Sequence, residues 1–249
     1  MHKTVKLRKS GRAADSVEKV YEAVRALAVE YQFKPRERAN EAELAARLGV
    51  SRTPVREALN RLARDGFMRL VPNRGIYARD ISPKDVQELY ELRAAIERAA
   101  FKLARQRGTD DEIAATASVW ETNSAQGHRS DWARVTESDE AFHISIVRMA
   151  KNEQMLTAIE SINFLIRFFR RIDLESDRRR GGLYEEHAGI IDCLNRRDSD
   201  KGCELIERHI TLSSAHAVEV TKEGLARIFF GGSRSASASA VKAKVRRRV

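Results

Sequence analysis

Asp139 and His143 stand four residues apart in SDEAFHISIVRMA, so on a helix they project from one face with their Cβ atoms about 5–6 Å apart. Two further histidines, His187 in YEEHAGIIDCL and His209 in IERHITLSSAHA, lie among apolar residues at helical spacing on two other stretches. A carboxylate and three imidazoles converging inside a bundle make a divalent metal site. Imidazole suits zinc, nickel, iron or copper, and the carboxylate offsets part of the ion's charge. The same residue types have a plainer use, because a histidine beside an apolar stripe often serves as a hydrogen-bonded core residue, and spacing does not choose between the two. Three histidines and one carboxylate also leave an open coordination position of the kind metalloenzymes use, with Glu140, Glu185 or Glu186 as general base, although each of those glutamates also reads as surface. Of the remaining histidines, His216 falls seven residues after His209 on a similar helical face, where it would line a pocket or replace a ligand, and His128 falls in a polar break.

A different chemistry is written in RLGVSRTPVREALNRLARDGF, residues 47 to 67. With Ser51 as N-cap, its hydroxyl accepting a backbone N–H, Arg52, Thr53 and Pro54 form a first helical turn, where proline is tolerated. Val55, Ala58, Leu59 and Leu62 then share one face, while Arg52, Thr53, Arg56 and Asn60 share another. Just upstream, Asn40-Glu41-Ala42-Glu43 reads as a capping box that opens a short helix with Leu44, Ala45 and Leu48 inward, ended by Gly49. Two short helices joined by a tight turn, the second with a polar basic face, make a helix-turn-helix whose second helix fits the major groove of double-stranded DNA. An ordinary solvated face would mix charges, yet among the outward positions only Glu57 and Asp65 are acidic. Two β-prone pieces follow, residues 67–71 and 76–79, separated by Pro-Asn-Arg-Gly. They form a hairpin with Asn73, Arg74 and Gly75 at its tip, within reach of the neighbouring DNA backbone or minor groove.

Both constellations need helices to position them, and helical periodicity dominates the chain. The fold class expected is mostly α: an N-terminal winged helix-turn-helix followed by an all-α bundle of six or seven helices. Breaks near residues 108–109, 127–130, 151–152, 180–182 and 197–199 divide the second part. The domains read as a disordered N-terminus over 1–15, the winged helix over 16–80, the bundle over 84–230 and a flexible Ser/Ala-rich basic tail over 231–249. Charge follows the same division. Residues 1–80 carry 18 basic against 10 acidic side chains, a net +8; residues 81–231 carry 22 against 26, a net −4; residues 232–249 carry 6 and none. A basic head beside a mildly acidic body points to a polyanion as partner of the head. Cys193 and Cys203 are the two cysteines, too few for a disulfide framework, and no stretch approaches 18 apolar residues, so a cytoplasmic protein without membrane partners is expected.

The run NEAELAARLGVSRTPVREALNRLARDGFMRLVPNRGIYA resembles the DNA-binding domain of GntR-family bacterial transcription regulators, with SRTPVREAL, the Asp-Gly after the helix and the Pro-Asn-Arg-Gly wing in order. The resemblance implies that Ser51, Arg52, Thr53 and Arg56 contact operator DNA, with Arg74 and Gly75 in the wing. Some relatives carry arginine at the place held by Ala42, so one contact of theirs is missing here. The Asp-x-x-Phe-His helix, the later Glu-His and the Arg-His 22 residues beyond it resemble the FCD ligand-sensing domain of the FadR subgroup. That likeness implies a divalent transition metal, zinc or nickel, on Asp139, His143, His187 and His209, and a small carboxylate effector beside it. Arg93, in VQELYELRAAIERAAFKLA, matches the pocket arginine of such domains and would hold the effector through its planar fork. From spacing alone, Leu89, Leu92, Ile96 and Ala99 are the inward stripe of this segment. Arg93 then either enters the pocket or points outward to pair with Glu97. The function implied is a ligand-responsive regulator, a repressor acting as a homodimer on a palindromic operator, with no enzyme chemistry. A metal-dependent enzyme or a purely structural ion is the alternative.

Overall fold

The computed structural model describes residues 10–125, 132–176, 182–212 and 214–230. Ten helices and one two-stranded sheet are found among them, and the chain divides into two compact units, residues 1–80 with 226–249 and residues 81–225. The basic tail and His128 lie outside the described residues.

The first unit begins with α1 (Ser10–Val29), which starts earlier than expected: residues 10–15, read as part of a disordered terminus, are helical. Arg12, Ala13 and Ala14 are strong helix formers that carry the helix back toward its N-terminus. Then come α2 (Glu41–Leu48) and α3 (Arg52–Arg64), followed by β1 (Met68–Val71) and β2 (Gly75–Ala78). The Asn40 side chain caps α2 by accepting from the backbone N–H groups of Ala42 and Glu43, and Gly49 ends it in the left-handed conformation with φ +70°. Ser51 has the extended backbone of an N-cap, but its hydroxyl makes no cap hydrogen bond, so α3 begins without the side-chain acceptor expected there. Val55, Ala58, Leu59 and Leu62 are buried as the periodicity requires, packed with Val24 and Leu27 of α1 and Leu44 of α2 into one core. The hairpin pairs Met68 with Ala78 and Val71 with Gly75, and Asn73 takes a left-handed φ of +60° at the turn. Residues before α2 extend the wing: Ala39 donates to the Ile76 carbonyl at 2.8 Å and Ala78 donates to the Glu37 carbonyl at 2.8 Å.

The second unit is a helical bundle: α4 (Pro83–Arg107), α5 (Asp110–Ala125), α6 (Trp132–Met149), α7 (Glu153–Glu175), α8 (Leu183–Asn195), α9 (Ser199–Ile210) and α10 (Ser214–Phe230). Ser82 and Asp85 form a reciprocal capping box that opens α4, with Pro83 inside the first turn. Seven helices rather than the six separated by turn residues arise because α9 ends at Thr211, which turns extended at ψ 125° without any glycine or proline to announce it. Packing within the bundle brings α4 against α6, α7 and α9, and α8 against α5 and α9. No described helix is long and apolar enough to cross a membrane.

Candidate metal centre and DNA-reading helix

The buried face of α4 is not the aliphatic stripe that periodicity selects. Leu92 is 51% exposed, and the residues turned inward are Val86, Tyr90, Arg93, Ala94, Glu97, Ala100, Phe101 and Ala104. The face is rotated because its two charged members satisfy each other and a third group. Arg93 Nε donates to Glu97 Oε1 at 2.7 Å, and Glu97 Oε2 lies 2.5 Å from His143 Nδ1. Arg93 is therefore both buried and paired with Glu97, combining the two alternatives that the spacing left open.

Asp139 and His143 on α6, His187 on α8 and His209 on α9 are all buried, and one ligand atom from each lies within 4.8 Å of the others. Nε2 of His209 is 3.2 Å from Nε2 of His143 and 3.1 Å from Nε2 of His187. Asp139 Oδ1 is 3.2 Å from His187 Nε2 and 3.6 Å from His143 Nε2. Donors bound at about 2.0–2.1 Å to one ion stand about 3.0–3.4 Å apart in tetrahedral or octahedral arrangements, so these spacings suit a small divalent transition metal. Protonation argues the same way. His143 and His209 each face a carboxylate through Nδ1, Glu97 at 2.5 Å and Glu186 at 2.6 Å, so the ring proton belongs on Nδ1 and the Nε2 lone pairs point at each other. Two lone pairs at 3.2 Å make no hydrogen bond and need a cation between them. Asp139 Oδ1, at the centre of the group, likewise makes no hydrogen bond among the described residues. His187 is held by packing rather than by a carboxylate, its ring 4.0 Å from that of Trp120 and 4.2 Å from that of Phe142, centroid to centroid.

The field of the site keeps ligands in the forms a metal needs. Burial lowers the His187 pKa to about 4, so the ring stays neutral. Burial alone would raise Asp139, but the Arg170 guanidinium and hydrogen bonds from His143 and His187 hold it well below the usual carboxylate range. Burial also opposes ionisation of Glu97, yet Arg93 and His143 outweigh it and bring that pKa down to about 2. Arg170 was not singled out in the sequence: within NFLIRFFRRID it looks like one of several surface arginines, whereas its buried guanidinium pairs with Asp139 and its Nη1 donates to Asn163 Oδ1 at 3.3 Å. Glu97 and Glu186 were also unrecognised as partners of the histidines. The helix break at Thr211 moves His216 away from the cluster onto α10, where it lies 2.6 Å from Asp173 Oδ1 and 3.3 Å from Glu219 Oε2.

On the head, Ser51, Arg52, Thr53 and Arg56 are exposed at the start of α3, and Arg74 is exposed at the wing tip beside half-buried Gly75. The φ of Gly75 is +101°, and a Cβ there would come within 3.2 Å of Arg38 Nε. Arg56 is not loose: its guanidinium is held by Glu41 of α2, Nη2 to Oε2 at 2.9 Å. Arg61 leaves the basic face as well, paired with Glu18 at 2.7 Å and stacked over the Tyr21 ring at 3.7 Å.

The family described as bacterial regulatory proteins, gntR family, matches residues 16–78, and the FCD domain matches residues 88–212. The chain is 39% identical over 203 residues to the Nta operon transcriptional regulator of Aminobacter aminovorans, covering 82% of this chain and 95% of that one. It is 25% identical over 206 residues to the HTH-type transcriptional repressor RspR of Escherichia coli, covering 83% and 90%. In fold it is similar to a GntR transcriptional regulator crystallised from Rhodococcus sp. RHA1, with a TM-score of 0.64 at 22% identity over 84% of this chain and 98% of that one.

Proposed function

Since the chain belongs to the GntR family of bacterial DNA-binding transcription regulators and carries an FCD domain, we propose that it is a metal-dependent, acid-responsive repressor. Its relatives regulate transcription, so the metalloenzyme alternative is set aside. The winged helix over 16–80 reads operator DNA with Ser51, Arg52, Thr53 and Arg56 in the major groove and Arg74 and Gly75 at the backbone or minor groove. The bundle over 84–230 holds zinc or nickel through Asp139, His143, His187 and His209, and Arg93 receives the carboxylate of a small organic effector. In the cytoplasm a homodimer presents two reading helices to a palindromic operator, and effector binding shifts the population between two arrangements of the bundle.

The observation that carries this reading is the convergence of three imidazole Nε2 atoms and one carboxylate oxygen, with the Nδ1 protons of His143 and His209 anchored on Glu97 and Glu186. A bound divalent ion would supply a positive charge and an open coordination position for a carboxylate; the protein's own groups orient the imidazoles and keep them neutral. Elemental analysis of protein purified without an affinity tag tests the metal. Operator binding followed by fluorescence anisotropy, with metal-loaded protein against a panel of small acids, tests the effector. About one ion per chain and an acid that releases DNA are expected; a metal that leaves DNA binding indifferent to every acid would make the ion structural.

A further inference from the structure

We propose that the effector is a dianion with two acidic groups, one directed at the four-ligand cluster and the other received by Arg93 Nη2 and Asn163 Nδ2; this rests on the metal-and-acid reading above. Three observations lead there.

First, α4 packs on α7, and the guanidiniums of Arg93 and Arg170 are buried there close enough for each to act on the other's charge, Arg170 helping to lower the Arg93 pKa after burial itself. Two like charges in a core need anions near both. The two buried carboxylates are already divided: Glu97 between Arg93 and His143, Asp139 between Arg170 and the imidazoles. Glu140 is paired with Arg167, and Asp173 with His216. Two guanidiniums against two carboxylates leave no surplus negative charge, so a divalent ion adds two uncompensated positive charges to the interior. Glu186, a third exposed, offsets this only in part.

Second, there are donors with nothing to donate to. Arg93 Nη2 and Asn163 Nδ2 are fully buried and have no acceptor among the described residues, although both side chains are at most 3% exposed. Each such orphan costs about 1–3 kcal/mol, which a bound acceptor recovers.

Third, Asn163 is oriented. Its Oδ1 accepts from Arg170 Nη1, which leaves the NH2 end of the amide as the unsatisfied one. Asn163 and Arg170 lie seven residues, about two turns, apart on one face of α7. Buried donors without acceptors, beside a positive interior, select a ligand with more anionic oxygen than a single carboxylate at the metal provides.

The test uses full-length protein loaded with zinc, with zinc alone as baseline, and compares by titration calorimetry monocarboxylates and dicarboxylates of equal carbon number: propionate against malonate, butyrate against succinate. A hydrogen bond to a charged group corresponds to about tenfold or more in affinity. At least one dicarboxylate should therefore bind about tenfold more tightly than its monocarboxylate counterpart. Asn163→Ala should remove that advantage while leaving zinc content and monocarboxylate affinity unchanged. Asn163→Asp, which keeps the shape and the acceptor for Arg170 but places a negative charge where the second group binds, should abolish dicarboxylate preference even if the alanine variant folds poorly. Equal affinities within every pair, or an Asn163→Asp protein that prefers dicarboxylates as before, overturn the inference while leaving an acid-responsive regulator intact. Zinc-loaded wild-type protein that binds neither series overturns the effector reading and the inference with it.

Discussion

Individual side chains here do work that depends on their partners. Arg56 presents itself to DNA from a bond to Glu41, so α2 fixes the height and angle of a reading residue on α3. Replacing Arg52 or Arg56 by alanine should cost about 1–3 kcal/mol in operator affinity if the residue reads a base, with non-specific binding less affected. Equal affinities for wild type and both variants in anisotropy titrations would remove α3 as the reader. Glu41→Gln should weaken operator binding by less than Arg56→Ala, because it loosens the guanidinium without removing it. In the sensor, His187 and Glu97 set an acid limit. Both have pKa values below their ordinary ones, about 4 and about 2, so the unfolded chain binds more protons than the folded one once the pH falls below about 6.5 for the histidine and about 4.5 for the glutamate. Their stabilisation is complete above pH 6.5 and is lost progressively toward pH 4 and then pH 2. Chelator-treated protein should accordingly show a thermal midpoint that falls steadily between pH 6.5 and 4. A flat midpoint over that interval would mean that His187 is not held neutral by burial.

Among the elements, α9 carries the tightest constraint. Gly202 faces Phe101 of α4, and a Cβ at that position would come within 2.1 Å of the ring. Gly202→Ala should destabilise the bundle by about 1–3 kcal/mol through overpacking and, because His209 is on the same helix, lower zinc affinity in parallel. Calorimetric unfolding and metal titration of one sample check both. The contrast between α3 and α4 explains what was readable beforehand. In α3 the apolar residues Val55, Ala58, Leu59 and Leu62 are the buried ones, so periodicity reports the face directly. In α4 the inward face includes Arg93 and Glu97, whose burial depends on a histidine 46 residues away, and an apolar count therefore turns the helix by about one position. The α9–α10 boundary was hidden for a related reason: ITLSS has no glycine or proline, so nothing local separates His209 from His216. Asp139, His143, His187 and His209 were legible because four ligand types on helical stretches survive without knowledge of tertiary partners. Arg170 and Asn163 were not, since their roles exist only once α7 meets α4 and α6.

For the whole molecule, the division into a reading head and a sensing bundle separates two kinds of failure. His187→Ala should lower metal content and thermal stability together and blunt effector-triggered release of DNA, while effector-free operator binding stays largely intact. Loss of operator binding in that variant, with the head still folded, would show that the metal supports DNA recognition itself. The ligands of the cluster are spread along the chain from Asp139 to His209, across α6, α8 and α9. No subset adjacent in sequence offers more than two of them, so the complete site exists only after long loops have closed and most of the bundle is in place. A metal ion therefore arrives late in folding. It does little to speed the search for the native state and acts chiefly on escape from it, so holo protein should refold at nearly the apo rate but unfold many times more slowly, giving the regulator a long lifetime that a cell can withdraw by withdrawing metal.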